Sequence, residues 1–493
     1  VPWTVAEVEE LAAFNRRFGN ESGAQAAERL ADPRTLAVVT GQQPNLLASP
    51  LYMLYKAGTA LALARLWEER LGRHVVAVFW VASDDHDFAE LRQCHVLGAG
   101  DQIVGLGEQV SRGEGVPPDS PAFEWALDES SDRVMRTLEK TLPGGPARGA
   151  TLAAVAEALA PGATFESACC RLLSFYFADS SLVLVVPRLE SIRRRARDVL
   201  RRDMASAGLL AEALERRGGL MAAAGYGVPL HRGPDQVNCF HIAERVRWRL
   251  VRRSDGTLAA ERPSQPRGGD GRDLAWWLAQ LERAPETFSP NVVTRPLVQD
   301  LALPSVAYVA GPGEMAYLAQ LAEAYSLLEI PQPLVLPRAS GILLDEATAG
   351  GLSAAGLRVE DLLKPPDDLA AQVAGVDALL APLLAEVARL EEAVSAATAR
   401  MLATRAATSP AVRVAIGKTL SAQRRSLRAL RRRFWRQAWA AGGGAWIPLA
   451  RGLACVRPMG EAQERVLSPL SFGAGVAPRR LGAVIVDMAA DWV

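Results

Sequence analysis

Apolar and polar positions along the chain fall into two regimes. Up to about residue 345, short β-branched and aliphatic runs alternate with helical stripes. The first run, residues 36–40, leads through TGQQPNLLASP into a stripe of Leu51, Leu54, Tyr55, Leu61, Ala62 and Leu66 that ends near Gly72. Ser49 and Pro50 offer that helix an N-cap and a first-turn proline. A second run, 74–83, is apolar on both faces, as a strand covered on both sides requires. A third, 181–187, feeds an arginine-rich helix over about 188–217; the pattern resumes at 305–310, turns at Gly311-Pro-Gly313 and reaches 333–337. Strand, helix, strand in repetition is the parallel βαβ signature, so the expected fold is α/β, a doubly wound parallel sheet.

Two insertions interrupt this core, at about 98–150 and 228–290; the second holds β-like runs at 237–243 and 245–252 and a loop, SDGTLAAERPSQPRGGDGRD. The other regime begins after 345. Val373, Val376, Leu380, Leu383, Val387, Leu390, Val394, Ala397 and Met401 repeat at alternating spacings of 3 and 4, the seam of a coiled coil. A break near Ser409-Pro410 precedes a second helix carrying Ile416, Leu420, Leu427, Leu430 and Phe434. An antiparallel hairpin arm is expected over 346–441, with 442–493 returning to the core after Gly442-Gly-Gly444. So long an apolar arm needs a partner, which predicts a homodimer.

Composition narrows the function. Lys plus Arg and Asp plus Glu both number 55 in 493 residues, which argues against a nucleic-acid binder held by phosphate contacts. The five cysteines, at 94, 169, 170, 239 and 455, form no C-x-x-C pair and suit a reducing compartment. The longest apolar stretch, 75–82, is far short of a membrane span, and no signal segment opens the sequence. A cytoplasmic protein without membrane or nucleic-acid partners is expected.

Loops beyond the carboxyl ends of parallel strands converge, so TGQQPN, ASDDHD, GPGE and PRAS are expected to face one crevice. Gln42, Gln43 and Asn45 carry donors and acceptors suited to sugar hydroxyls, or to a carboxylate and an amine recognised without net charge. Gly41 lets backbone approach a ligand, and Lys56 is an anion candidate; the amides serve equally well to satisfy loop backbone. The spacings of a P-loop or dinucleotide fingerprint are missing. In Asp85-His86-Asp87 a histidine between carboxylates suits a general base, while the same cluster could cradle an ammonium or cap a helix. A metal ranks below these, because no distant His or Cys group completes a ligand set. Arg295 and Arg338 can each grip a carboxylate or form a structural ion pair, and Glu314 suits a helix dipole or a substrate amine. The arginine runs at 193–202 and 424–433 read as solvated helix faces.

Four stretches in order, VVTGQQPNLLASPLYMLYKA, AVFWVASDDHDFAEL, NVVTRPLVQDLALPSVAYVAGPGEMAY and GEAQERVLSPLSF, resemble the bacillithiol biosynthesis cysteine-adding enzymes, the BshC family. The likeness covers most of the chain; the first insertion and the arm match in character only. It implies a Rossmann-like core, a dimerising coiled-coil domain, and a cysteine ligase joining the carboxyl of L-cysteine to the amine of glucosaminyl malate. By the resemblance, Gly41, Gln42, Gln43, Tyr52, Lys56, Asp85, His86, Asp87, Arg295, Gln299, Asp300, Gly311, Glu314, Tyr317, Arg338, Gln463, Glu464 and Arg465 mark the site. Asp84 stands where a glutamate is commoner in the family.

On this reading the amides meet the sugar, and Arg295, Arg338 or Lys56 meets the malate carboxylates. Asp85, His86 or Glu314 holds the ammonium, and His86 removes its proton. A free carboxylate is a poor electrophile, so ATP is expected from the chemistry, with no motif for it. The alternatives are a metal-dependent hydrolase built on Asp85, His86 and Asp87, or a non-catalytic dimeric scaffold that recruits partners through the arm.

Overall fold

The computed structural model describes residues 2–99, 101–206, 208–233, 235–264, 269–354, 356–363, 377–404, 409–442 and 446–493. Its main sheet is built from Leu36–Gln42 (β1), Val75–Val81 (β2), Leu182–Val185 (β3), Ser305–Ala310 (β4) and Leu334–Pro337 (β5). All pairings are parallel, in the order β5-β4-β1-β2-β3. The β1–β2 ladder keeps one register from Leu36↔Val75 to Gln42↔Val81. Every residue of β2 is buried, as its unbroken apolar run requires. The chain winds from β1 outward to β3, then crosses back to β4, so β1 and β4 flank the topological switch point.

The helix Tyr52–Leu71 buries Met53 through Ala64, and Pro478–Trp492 packs along it. Gly58 permits that approach: a Cβ there would lie 2.8 Å from Ile485 Cγ2. The helix starts at Tyr52 with Leu51 as an N-cap that makes no side-chain bond, not at Ser49. Leu47 and Ala48 have φ of 54° and 50°, so the chain is still turning where the cap was expected.

A second, antiparallel sheet occupies the later insertion, in the order 258–261, 246–252, 236–243, 288–290. Residues 265–268 of the expected loop lie outside the described residues. The arginine-rich helix is not continuous: Glu190–Ala205 and Leu209–Ala223 are separated at Gly208, whose φ of 98° breaks helical geometry. Nor is its basic face wholly solvated. Arg193 is 2 % exposed and donates to both carboxylate oxygens of Asp84, at 2.6 and 2.9 Å, and to the Phe288 carbonyl at 2.8 Å. Arg195 pairs with Glu7 at 2.8 Å and lies over the Trp3 ring. Burial on the sheet side turns these two arginines into internal ties.

Contacts divide the chain into two units, one comprising residues up to 99, 103–341 and 464–493, the other 100–102 and 342–463. In the second unit, helices Asp377–Leu402 and Pro410–Gly442 pack on each other. Of the expected seam, Val387 is buried whereas Leu383, Leu390 and Met401 are exposed; Val373 and Val376 lie outside the described residues, as do Gly443 and Gly444. The helix Trp446–Val456 also belongs to this unit, and the return to the first begins at Glu464. Among the described residues, no helix is long and apolar enough to cross a membrane.

Arg193 ties the loop after β2 to the Glu190–Ala205 helix and to the antiparallel sheet. Asp84→Ala leaves its guanidinium buried without a counter-charge, and breaking such a pair costs roughly 3–5 kcal/mol. The urea midpoint of the variant should fall accordingly, and an unchanged midpoint would refute the tie.

Candidate active site

The carboxyl ends of β1, β2 and β4 lie side by side, and beyond them opens a cavity of about 310 Å³. Loops after the three strands line it together with Phe240, Arg247 and Pro290 of the antiparallel sheet. Gly41 is required here by packing: a Cβ would stand 2.7 Å from the Trp80 carbonyl oxygen on the neighbouring strand.

The floor is held by one ion pair. Lys56, 1 % exposed, reaches back from its helix to the Gly41 carbonyl (2.6 Å), to Gln42 Oε1 (3.1 Å) and to Glu314 Oε2 (2.5 Å). Glu314 also accepts from the Gly311 N–H and the Tyr308 hydroxyl, both at 2.8 Å. Burial pulls the Lys56 ammonium below the ordinary lysine value against the pull of Glu314. Burial pushes Glu314 up, but Lys56 and the two neutral donors outweigh it and hold the carboxyl below its ordinary value.

The amides act in series. Gln42 Nε2 donates to Gln43 Oε1 at 2.6 Å and to the Tyr52 hydroxyl at 3.1 Å, and Gln43 Nε2 donates to Asp85 Oδ2 at 3.0 Å. The other Asp85 oxygen accepts the backbone N–H groups of His86 (2.6 Å) and Asp87 (3.2 Å). Burial raises the Asp85 carboxyl, yet Arg247 and these donors bring it below the usual carboxylate range. Three acids line the cavity, and their fates differ: Asp84 is paired with Arg193, Glu314 with Lys56, and Asp85 accepts hydrogen bonds from amides, with no ion pair engaging it among the described residues.

Arginines supply the opposite charge. Arg295 donates to Tyr317 Oη at 2.7 Å and Gln299 Oε1 at 3.2 Å, both neutral, and Arg232 donates to Gln236 Oε1 at 3.3 Å. Both line the cavity, and no ion pair engages either among the described residues. The His86 ring is hydrogen-bonded not to its acidic neighbours but to Arg247, whose Nη1 lies 3.2 Å from His86 Nδ1.

The cavity thus gathers Gly41, Gln42, Gln43, Asp85, His86, Arg295 and Glu314. Tyr52, Lys56, Gln299, Gly311 and Tyr317 support them from behind. Other expected residues lie elsewhere. Arg338 is consumed by a buried two-pronged pair with Glu464, at 2.8 and 2.5 Å, so neither it nor Lys56 is free to grip an anion. Asp87 is exposed and caps the turn Phe88–Leu91, and Asp300 accepts from Tyr325 at 2.5 Å. Asn45 is buried away from the cavity lining, Arg465 is exposed, and Gln463 bonds within the second unit to Leu343 and Cys455. Arg232, Phe240 and Arg247 escaped the sequence reading. They sit in an insertion with no motif, and only the fold carries them to the strand ends.

A family model described as "Bacillithiol biosynthesis BshC, N-terminal Rossmann-like domain" matches residues 5–339. The chain belongs to the BshC family. Its Salinibacter ruber relative, named "Putative cysteine ligase BshC", is 32 % identical over 470 residues, 93 % of this chain and 82 % of the relative. The protein of that name from Geobacillus kaustophilus is 28 % identical over 467 residues, covering 92 % and 83 %. That from Chlorobaculum tepidum is 32 % identical over 349 residues, 70 % of this chain and 60 % of the relative. The match takes in all five strands of the parallel sheet and the antiparallel insertion that completes the cavity.

Asp85 and Glu314 are both more acidic in the folded protein than in a free chain. Their contribution to stability is therefore fully present above their ordinary values of 3.8 and 4.5, and is lost as pH falls through the lower folded values. Glu314→Gln should flatten the acid limb of a urea-midpoint-against-pH curve and lower the midpoint at pH 7, because Lys56 loses its counter-charge. An acid limb identical to wild type would show that the pair contributes nothing.

Proposed function

We propose that this BshC-family protein is a cysteine ligase of bacillithiol biosynthesis, forming an amide between the carboxyl of L-cysteine and the amine of glucosaminyl malate. One observation carries the reading at the level of residues. A single switch-point cavity presents a carboxylate, Asp85, and three arginines, Arg232, Arg247 and Arg295, that no ion pair engages among the described residues; Arg247 is committed to Ser289, Pro290 and His86, which leaves Arg232 and Arg295 for a ligand. That is the complement of a substrate bearing one ammonium and two carboxylates.

In this reading Asp85 holds the substrate ammonium and takes one proton from it so that the neutral amine can attack, and the Gln42–Gln43 pair meets the sugar hydroxyls. Arg295 and Arg232 take the malate carboxylates, the role that Arg338 and Lys56 cannot fill. At about 310 Å³ the cavity is at the small end of ligand sites. ATP is our proposal for activating the cysteine carboxyl, on chemical grounds alone. The turn after β1 is not a glycine-rich phosphate cradle, so no nucleotide site is assigned among the described residues and no step here runs through it.

We further propose a homodimer formed through the arm. Its support is the exposure of Leu383, Leu390 and Met401 along the seam of a helix pair whose longer member spans about 50 Å at 1.5 Å per residue. A cytoplasmic setting fits the five free, buried cysteines. The hydrolase alternative gains nothing from the geometry, since Asp87 turns away from the cavity to cap a helix.

Purified protein given L-cysteine, glucosaminyl malate and ATP should release ADP or AMP one-for-one with the amide product, seen by mass spectrometry. No product under any nucleotide would sink the ligase reading. Arg295→Met should raise KM for glucosaminyl malate by roughly 10- to 100-fold, the worth of a charged hydrogen bond, with a smaller change in the KM for cysteine. Equal changes in both would remove Arg295 from the malate site.

A further inference from the structure

Arg247 is locked. Its Nε donates to Ser289 Oγ at 3.0 Å, its Nη2 to the Pro290 carbonyl at 2.5 Å, and its guanidinium stacks on the Phe240 ring at 3.9 Å. These contacts aim Nη1 at His86 Nδ1, 3.2 Å away. A guanidinium is a donor at every nitrogen and keeps its charge, so the ring nitrogen facing it has to be the acceptor. In a neutral imidazole the proton then sits on the other nitrogen, Nε2. This inverts the usual arrangement of a histidine base, in which an acceptor at Nδ1 leaves the lone pair of Nε2 free.

We propose that Arg247 is a positioning residue that holds His86 as a neutral Nε2–H donor, and that His86 stabilises the acyl oxygen of the activated cysteine instead of removing a proton. The assignment rests on the ligase reading above. His86 and Asp85 line the same cavity, which places the donor in one pocket with the carboxylate that holds the attacking amine. Asp85 first takes one proton from the ammonium; as the neutral amine forms the C–N bond, negative charge gathers on the acyl oxygen, where Nε2–H meets it. The carbonyl then re-forms as the bond to the leaving phosphate or nucleotide breaks, and that anion carries off the second amine proton. The charges around the ring agree with a neutral state: burial and Arg247 lower its pKa, against Asp85, Asp119 and Asp87, which raise it.

The test has two arms that fail separately. In the first, the full-length protein carries ¹⁵N-labelled histidine, and the His86 signals among the five histidines are identified by their loss in His86→Gln. Near neutral pH, Nε2 should be the protonated nitrogen, and Arg247→Met should mix the tautomers. An Nδ1–H ring in the wild type overturns the proposal whether or not ligase activity is found.

The second arm is kinetic. Glutamine keeps a donor near the Nε2 position but cannot act as a base. His86→Gln should hold kcat within about tenfold of wild type, while His86→Ala loses on the order of 100-fold or more, the usual worth of one such donor. His86→Gln as inactive as His86→Ala refutes the donor role. A wild type without ligase activity defeats the ligase reading and the acyl-oxygen role together, leaving the tautomer measurement to decide Arg247 alone.

Discussion

The buried ammonium of Lys56 is what the rest of the site depends on. It stands under the point where the parallel sheet reverses its winding, and its three acceptors come from both sides of that point: Gly41 and Gln42 at the end of β1, and Glu314 in the helix after β4. A charge this deep has to be fully partnered. Satisfying it fixes the two strand ends relative to each other, and with them Gln42, Gln43 and, through Gln43, Asp85. The lysine is therefore not a ligand group but the reason the ligand groups have fixed positions.

Three acids of one short loop show how local neighbours take unrelated tasks. Asp84 points into the protein to Arg193, Asp85 faces the cavity, and Asp87 caps the following turn. The alternation comes from the tight path of the loop, in which Asp85 accepts the next two backbone N–H groups. Shortness matters at the first position. An aspartate at 84 meets Arg193 in two-pronged contact, where the extra methylene of a glutamate would need a different path.

How much of this was legible in the sequence depended on separation along the chain. The strands and the helix Tyr52–Leu71 follow from periodicity, since their signals are local. The convergence of the β1, β2 and β4 loops follows from the topology those elements imply, which is why Gln42, His86, Arg295 and Glu314 could be grouped beforehand. Pairings between distant side chains could not be read. Helical periodicity sets Arg193 on the face of Ala196 and Leu200 and Arg194 off it, but nothing local says that Arg193 is paired with Asp84 or that Arg338 is spent on Glu464. Arg247 was invisible for the same reason, and with it the hydrogen bond that decides how His86 is protonated. The identity of a histidine's neighbours in sequence proved a poor guide to its neighbours in space.

The first unit is not contiguous: residues 464–493 complete it after an excursion of more than a hundred residues through the second. Ile485 seats against Gly58, and Glu464 neutralises Arg338 beside β5. On the ribosome, the wound sheet therefore waits with an open flank and an uncompensated arginine while the intervening segment is synthesised. Closure can follow only once Ile485 has been made, so the helix Tyr52–Leu71 goes without its cover while all the chain between them is synthesised.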